Sequence, residues 1–305
     1  MPKNDPVTIS VCIPTHNCAK YLEQTLRSVY NQESGNYTLE IMVMDDFSHD
    51  DIESVVSRYP DVKLCRTGIN IGIVHNFNRC IQMAKYEYIH ILHGDDYIAP
   101  NFYNEISKTI QETGNVALCC TSVLVVNENN VELDEREPAL STSGLLSISN
   151  DLLYENTIFT PSVLVNRKTY LSVGSFDGKL SHLADWQMWI RCMLYGKSIF
   201  IPTTRAYYRV HNNNDSSNSE RNGINVRERF YIRSWLMSNN VQFDMKRYDL
   251  VSLNYSLSQY RKFLKHKQWH FALKNLIVVT STIRLLPLRE RCNGFARLMK
   301  YTLIP

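Results

Sequence analysis

The stretch "YIHILHGDD", residues 88–96, joins an apolar run of strand character to two adjacent carboxylates, Asp95 and Asp96. Two like charges side by side repel each other, and they are favoured where a cation bridges them or where water solvates both. The stretch therefore predicts a strand that ends either in a metal-binding site or in a solvated turn.

The segments around this stretch alternate between strand and helix patterns. Between the strands, apolar residues recur at helical spacing, as Val74, Phe77 and Ile81 do. Asn17 is predicted to cap the first of these helices. Strands separated by helices of this length indicate right-handed crossovers and an α/β fold with a mainly parallel sheet flanked by helices. The predicted strands are "VTISVCIP" (7–14), "LEIMVM" (39–44), "VKLCR" (62–66), "YIHIL" (88–92) and "VALCCTSVLVV" (116–126).

Polar clusters follow three of these strands: "PTHN" (14–17), "DDFSHD" (45–50) and "HGDD" (93–96). Ligands of open α/β sheets bind beyond the carboxyl ends of the strands, so these clusters predict a binding site. Neither GxGxxG nor GxxxxGK[ST] occurs, which argues against the usual dinucleotide and P-loop sites. Acidic side chains accept hydrogen bonds from a base or a ribose, and paired carboxylates suit Mg²⁺ or Mn²⁺ bound to phosphates. A nucleoside diphosphate fits both features.

The composition is that of a globular protein. With 305 residues and 44% hydrophobic content, the chain is long enough for one large domain or two smaller ones. Its eight cysteines form no CxxC pair, its first residues lack the pattern of a signal peptide, and it contains no run of 18 apolar residues. We therefore expect a cytoplasmic protein with reduced thiols.

The C-terminal part is strongly basic. From residue 250 onward there are ten Lys or Arg residues and one acidic residue, a net charge of +9, which leaves −6 for the rest of a chain whose total is +3. Basic residues mixed with apolar ones at helical spacing predict a mainly helical region over 221–305. Three partners suit it, namely an anionic membrane surface, other helices of a solvated bundle, or a protein. Nucleic-acid binding is not expected, because no recognition motif accompanies the charge.

Five stretches, in order, resemble the family 2 glycosyltransferases, which are inverting enzymes with the GT-A fold. The resemblance covers about residues 7 to 217, and it implies a GT-A domain over 1–220 with a nucleotide-binding half (7–126) and an acceptor-side half (127–220). The stretches are "VTISVCIPTHNCAKYLEQTLRSVYNQ" (7–32), "IMVMDDFSHDD" (41–51), "NIGIVHNFNRCIQMAKYEYIHILHGDD" (70–96), "GSFDGKLSHLADWQMWIRCMLYG" (174–196) and "YYRVHNNNDSS" (207–217).

The resemblance implies roles for individual residues. Asp185 is the expected catalytic base, although a carboxylate before "WQMWIRCML" also suits a helix N-cap. Metal ligands are expected at Asp95, Asp96 and His211, with Mn²⁺ or Mg²⁺ as the cofactor. His93 departs from the family pattern, since it stands where the Asp-x-Asp metal motif has its first aspartate. The residues expected to bind the nucleotide are Pro14, Thr15, Asp46, Asn70, Gly72, Asn78 and Asp95.

The implied activity is metal-dependent, inverting transfer of a hexose from a nucleoside-diphosphate donor, a UDP-sugar, to an acceptor hydroxyl in polysaccharide or glycolipid assembly. The acceptor would be a glycan or a lipid-linked glycan, and a lipid-linked one would place the protein at the inner face of the cell membrane. Two alternatives come from other classes. An inactive nucleotide-sugar or glycan-binding module would keep the pocket without turnover, and a phosphoacceptor receiver domain would be much shorter and would leave Asp185 unexplained.

Overall fold

The computed structural model describes residues 5–138, 150–211 and 215–303. Parts of two sequence predictions lie outside these ranges, namely residues 139–149 of the acceptor-side half and residues 212–214 of the last family-like stretch. The chain forms two compact units. The first comprises residues 1–152 and 156–211, and the second comprises residues 153–155 and 212–305.

A parallel sheet forms the first half of the first unit. Its strands are β1 (Val7–Thr15), β2 (Tyr37–Asp45), β3 (Val62–Arg66) and β4 (Tyr88–Ile91), in the spatial order β3-β2-β1-β4. The connecting helices are α1 (Ala19–Tyr30), α2 (Ile52–Val56) and α3 (Ile73–Met83). Ile9, Val11 and Ile13 of β1 are fully buried, because helices cover both faces of a parallel sheet. The parallel order brings the carboxyl ends of β1, β2 and β4 together.

Beyond β4 the sheet becomes mixed. β8 (Val163–Asn166) pairs antiparallel with both β4 and β6 (Leu118–Asn127), and β6 pairs parallel with β9 (Ser198–Val210). Two short strands complete the described sheet: β5 (Tyr97–Ile98) pairs with β9, and β7 (Glu132–Arg136) pairs with β6. The helices of this half are α4 (Phe102–Thr113), α5 (Arg167–Val173) and α6 (Ala184–Tyr195). β9 thus brings the end of the first unit back to β5 and to the turn after β4 that holds Asp95 and Asp96, here called the carboxylate turn.

The start of α1 differs from the prediction. Asn17 does not cap the helix, which begins at Ala19. Instead, Asn17 has a positive φ of 53° and its Oδ1 accepts a hydrogen bond from the backbone of His49 at 2.8 Å. The first helical N–H, that of Ala19, donates to Asp50 Oδ2 at 2.7 Å. A carboxylate from the neighbouring polar cluster therefore satisfies the helix N-terminus.

The second unit is helical. Its helices are α7 (Asp215–Asn222), α8 (Ile224–Ser238), α9 (Met245–Lys265), α10 (Trp269–Leu285) and α11 (Leu288–Leu303). Its core includes Leu257, Val279 and Ile283, none of which is exposed. Tyr154 joins this unit, because its carbonyl accepts from Arg229 at 2.5 Å and its hydroxyl accepts from the backbone N–H of Asp244 at 2.9 Å. Among the described residues, no helix combines the length and the apolar character needed to cross a membrane.

Candidate functional site

The carboxylate turn that follows β4 lies directly against the end of β1. The Gly94 N–H donates to the carbonyl of Pro14 at 3.1 Å. A Cβ at position 94 would lie 2.6 Å from Cys18 Sγ and 2.7 Å from Thr15 Cγ2, so only glycine allows this approach. The Thr25 hydroxyl, on α1, lies 2.7 Å from the carbonyl oxygen of Asp96. The "PTHN" and "HGDD" clusters therefore meet, as the sequence predicts for adjacent parallel strands.

Three side chains of this turn form a group suited to a cation. One ligand atom from each of His93, Asp95 and Asp96 lies within 4.8 Å of the others. Asp96 is only 1% exposed, and its Oδ2 lies 3.3 Å from His93 Nδ1. Within the described part of the chain, Asp96 Oδ2 and His93 Nε2 are buried without a hydrogen-bond partner. Apart from this contact with each other, the two side chains leave buried polar atoms unsatisfied beside a second carboxylate, and a divalent ion would satisfy them.

His211 reaches this group through Asp95. Its Nε2 lies 2.9 Å from Asp95 Oδ2, and its ring stacks on Tyr21 with 5.2 Å between the centroids. The sequence interpretation named His211 as a ligand together with Asp95 and Asp96, whereas the compact group of ligand atoms contains His93. His93 is itself held in place, since its ring stacks on Phe77 with an interplanar angle of 11°.

The charges of the group influence one another. Burial raises the pKa of Asp96 to about 6, and the negative charge of Asp95 adds to this effect. For Asp95, burial is outweighed by the hydrogen bond with His211 and the nearby His93, so its pKa is lowered. Burial would lower the pKa of His93, but its contact with Asp96 and the surrounding carboxylates outweigh burial and raise it. The two adjacent carboxylates thus differ, with Asp95 ionised more easily than Asp96.

Arg209, on β9, holds the turn in place, and the sequence interpretation assigned it no role. Its backbone N–H donates to Asp96 Oδ1 at 2.8 Å, and its Nε donates to the carbonyl of Asp95 at 2.8 Å. The same guanidinium donates to Gln24 Oε1 at 2.8 Å and lies 4.8 Å from the centroid of the Tyr21 ring. In the sequence, Arg209 stands two residues before His211 in the family-like stretch, and this proximity is what could have indicated its role.

The two carboxylates at the end of β2, Asp45 and Asp46, have different roles. Asp45 is fully buried and accepts from Arg66 Nε at 2.6 Å and from the backbone of Ser48 at 3.2 Å, which makes it a structural support. Asp46 accepts from the N–H groups of Ile71 and Gly72, each at 2.8 Å. A carboxylate has about four lone-pair positions, so Asp46 retains acceptor capacity for a ligand while it shapes the loop before α3.

The remaining residues expected at the nucleotide lie on that loop and on α3. Gly72 has a φ of 84° at the start of α3, and Asn70 Oδ1 accepts from its N–H at 2.9 Å. Asn70 also contacts His16, a polar residue of the "PTHN" cluster. Asn78 uses both ends of its amide on the backbone of Phe176, at 2.8 and 3.0 Å. Asn70 and Asn78 border one open cleft of about 530 Å³.

Asp185 lies in the first turn of α6 and is half-buried. It is not the N-cap, a position that Leu183 occupies. Its Oδ1 accepts from the Trp186 N–H at 2.6 Å, and Asn156 and Thr160 each donate to its Oδ2 at 3.3 Å. Burial raises the pKa of Asp185 more than the nearby His182 lowers it. The charge of His93 also lowers the pKa of Asp185, but less than His182 does.

Comparison with known proteins identifies relatives of this chain. A model of the family described as Glycosyl transferase family 2 matches residues 10–172, more than half of the chain. An uncharacterized glycosyltransferase of Methanocaldococcus jannaschii is 25% identical over 194 residues, which cover 62% of this chain and 66% of that protein. The abequosyltransferase RfbV of Salmonella typhimurium is 30% identical over 116 residues, covering 36% of this chain and 35% of that protein.

Solved structures share the fold. TarS 1–349 of S. aureus in complex with UDP-GlcNAc superposes with a TM-score of 0.68 at 16% identity, covering 97% of this chain and 89% of that one. GalNAc-T7 with UDP, GalNAc and Mn²⁺ gives a TM-score of 0.54 at 19% identity, covering 68% of this chain and 44% of that one. The predicted GT-A architecture, an α/β sheet flanked by helices with a helical C-terminal region, is confirmed.

Proposed function

Because this chain belongs to glycosyl transferase family 2, we propose that it transfers a sugar from a UDP-sugar donor to a hydroxyl group of an acceptor, with inversion at the anomeric carbon. The observation that carries the proposal is the group of His93, Asp95 and Asp96 at the end of β4, whose ligand atoms lie close enough together to hold a divalent cation. TarS, which has the same fold, is known in complex with UDP-GlcNAc, and this supports a UDP-sugar as donor.

The nucleotide would lie across the ends of β1 and β2 and along the loop before α3. There Asp46 would accept from the base, while Pro14 and Thr15 would contact it through their backbone, and Asn70, Gly72 and Asn78 would border it. Asp95, whose pKa is lowered by His211 and His93 despite its burial, would face the ribose and diphosphate side. This arrangement places the donor at the carboxyl ends of the strands, where α/β sheets bind ligands.

A divalent cation would be held by Asp95 and Asp96, with His93 or His211 as the nitrogen ligand. Mn²⁺ suits a mixed carboxylate and imidazole set better than Mg²⁺, which prefers oxygen ligands. Such an ion would offset the negative charge that develops on the departing diphosphate. In keeping with this, GalNAc-T7, which shares the fold, is known with UDP and Mn²⁺.

Asp185 would act as the general base. The acceptor oxygen attacks the anomeric carbon as the bond from that carbon to the diphosphate oxygen breaks, and the acceptor proton passes to Asp185. Hydrogen bonds from Trp186, Asn156 and Thr160 orient the carboxylate, and its raised pKa brings it closer to the pH at which it works. A single displacement of this kind inverts the configuration. The acceptor would be a glycan or a lipid-linked glycan of polysaccharide or glycolipid assembly.

The experiment that tests the proposal compares Asp185→Asn with wild type. Release of UDP from a panel of UDP-sugars is measured with Mn²⁺ and saccharide acceptors. Because asparagine is nearly isosteric but accepts no proton, turnover should fall by ~10²–10⁴ while UDP binding survives. Asp61→Asn, which removes an exposed carboxylate of the same unit, is the matched control and should keep wild-type turnover.

Two results would count against the proposal. Full turnover by Asp185→Asn would show that the base lies elsewhere. UDP binding by the wild type without turnover of any donor in the panel would favour the alternative, an inactive nucleotide-sugar or glycan-binding module.

A further inference from the structure

Helix α11 exposes an apolar stripe to solvent. Leu288, Phe295 and Met299 are 74%, 42% and 61% exposed, although their side chains are large and apolar. They are seven and four residues apart, which is about two turns and one turn, so they share one side of the helix. The side that packs into the second unit lies about 100° round the helix, where Leu298 is 7% exposed and a Cβ on Gly294 would lie 3.1 Å from Ile283. The stripe is therefore an outward face and not a gap in the core.

Basic side chains border this α11 stripe. Arg289 and Lys300 are exposed and lie about three turns apart on the side next to the stripe, and Arg297 is exposed beyond them. The helix has one acidic residue, Glu290, and it pairs with Lys246 at 2.6 Å. Glu290 also interacts with its neighbour Arg289, but Lys246 is its main partner, so α11 keeps a net positive charge.

A second apolar stripe, on α10, lacks this charge. Trp269, Leu273 and Ile277 are 63%, 61% and 59% exposed. The basic residues of α10 are Lys274, which donates to Asn222 Oδ1 at 2.8 Å, and Arg284 near the end of the helix. Apolar exposure alone does not identify a partner, whereas apolar exposure bordered by a net positive charge does.

We propose that α11 docks the protein on an anionic lipid bilayer, with Leu288, Phe295 and Met299 entering the boundary between headgroups and acyl chains. Arg289 and Lys300 then contact the anionic headgroups, whereas Arg297 donates to Asn254 Oδ1 at 2.7 Å. An amphipathic helix with an apolar side and a basic flank is the element that binds in the plane of a membrane interface. Each basic side chain near an anionic surface strengthens binding severalfold. The inference does not depend on the proposed sugar transfer.

The test is sedimentation of the full chain with vesicles of phosphatidylglycerol and phosphatidylcholine at low salt. Wild type should sediment with these vesicles, and neither with phosphatidylcholine alone nor with the anionic vesicles at high salt, because salt screens the attraction. Arg289→Gln/Lys300→Gln should weaken binding by roughly tenfold or more. Leu288→Ser/Met299→Ser should weaken it by at least a similar factor.

Matched controls come from the first unit. Lys85→Gln/Lys108→Gln removes the same charge from exposed positions, and Leu171→Ser/Leu194→Ser removes leucines that are 63% and 50% exposed. Both controls should sediment as wild type does. The inference is overturned if wild type stays in solution with anionic vesicles, or if the control pairs weaken binding as much as the α11 pairs. It is also overturned if the α11 leucine and methionine changes convert an oligomer into a monomer and leave vesicle binding intact.

Discussion

At the scale of single residues, the Asp96 carboxylate is a buried charge with a strongly raised pKa. It is 1% exposed, it lies beside Asp95, and the pKa of its carboxyl group is raised to about 6. Its Oδ2 has no hydrogen-bond partner among the residues that the structure describes. At neutral pH the folded protein therefore keeps a buried negative charge that the Arg209 N–H and the contact with His93 compensate only in part, as is common where a ligand supplies a further partner.

Asp96→Asn should stabilise the ligand-free protein at about pH 7.5 by ~1–3 kcal/mol. The folded pKa of about 6 lies above the ordinary value of 3.8, so protonation stabilises the wild type fully below 3.8 and this stability is lost as the pH rises through 6. The variant does not titrate, and its Oδ1 can still accept from Arg209. Urea unfolding at a series of pH values measures the difference.

The titration of His90 does not affect the comparison between wild type and Asp96→Asn. Burial lowers the pKa of His90 to about 4, so His90 stabilises the folded state with the opposite pH slope. Because His90 is present in both proteins, its effect cancels in the difference. The two stabilities should converge in acid, and Mn²⁺ should bind the wild type more tightly than the variant. A variant less stable than wild type at neutral pH would show that the Asp96 charge is stabilised in the fold.

Gly94→Ala should destabilise the protein by ~1–3 kcal/mol, because the added methyl group would overlap Cys18 and Thr15. Urea unfolding measures the change, and a titration with Mn²⁺ should show weaker binding because the turn carries Asp95 and Asp96. Gly68→Ala is the matched control, since a Cβ there meets no atom within 4 Å. It should alter stability by less than ~0.5 kcal/mol. Equal effects of the two substitutions would contradict the close packing of the turn against β1.

Part of the site was predictable residue by residue. Apolar runs that end in acidic residues identify Asp45, Asp46, Asp95 and Asp96 as strand ends, and the adjacency of parallel strands brings them together. The surroundings of Asp185 were not predictable, because Asn156 and Thr160 come from 29 and 25 residues earlier in the chain. Nor does the sequence reveal that Asp46 binds the backbone of Ile71 and Gly72, since such contacts depend on the path of a loop.

At the scale of elements, the sequence predicted strands β1 to β4 and β6, but it did not predict β5, β7, β8 or β9. β8 has only four residues, and its place between β4 and β6 follows from pairings such as Tyr88↔Asn166 and Cys119↔Leu164. Within β9 the pairing with β6 jumps from Ile201 to Arg205, so residues 202–204 interrupt the strand pattern. Local periodicity cannot report pairings between distant segments or an irregularity of this kind.

The far end of β9 gives a prediction through Arg209. Arg209→Lys should destabilise the protein by ~2–4 kcal/mol, because lysine cannot reproduce the planar fork that binds Asp95, Gln24 and Asn130. Mn²⁺ affinity should fall as well, since Arg209 positions the turn. Denaturant unfolding and a calorimetric titration measure the two effects.

The matched control lies on the same strand. Arg205 is 41% exposed and pairs with Glu135 at 3.0 Å, so Arg205→Lys should cost less than ~1 kcal/mol and leave Mn²⁺ binding unchanged. If Arg209→Lys were as mild as this control, the network around Arg209 would have no positioning role.

At the scale of the whole molecule, charge and architecture divide in the same way. The sheet-containing unit carries the acidic site, while the basic excess of +9 from residue 250 onward falls in helices α9, α10 and α11 and the turn between α9 and α10. The sequence could predict this division, because counting the charges along the chain needs only the order of the residues. It could not predict that Leu288, Phe295 and Met299 share an outward face, since that depends on which side of α11 packs on α9 and α10.

UDP with Mn²⁺ should stabilise the whole chain by mass action, by ~2.7 kcal/mol at a hundredfold excess over the dissociation constant. The reason is that UDP binds the folded site and not the unfolded chain. A thermal melt measures the shift, and EDTA should remove most of it if the cation bridges Asp95, Asp96 and the diphosphate. An equal shift with ADP would show that the base is not recognised, and the lack of any shift would contradict the nucleotide site.

The assignment of residues 153–155 to the helical unit has a consequence for biosynthesis. These residues leave the ribosome before β8, α6 and β9 have been made, yet Arg229 and Asp244, which bond to Tyr154, emerge much later. Tyr154 therefore lacks both hydrogen-bond partners on the nascent chain while the strands that precede and follow it are synthesised. A chain that ended after β9 would lack Arg229 and Asp244. The ring of Tyr154, which is buried in the complete protein, would then be exposed and could promote aggregation.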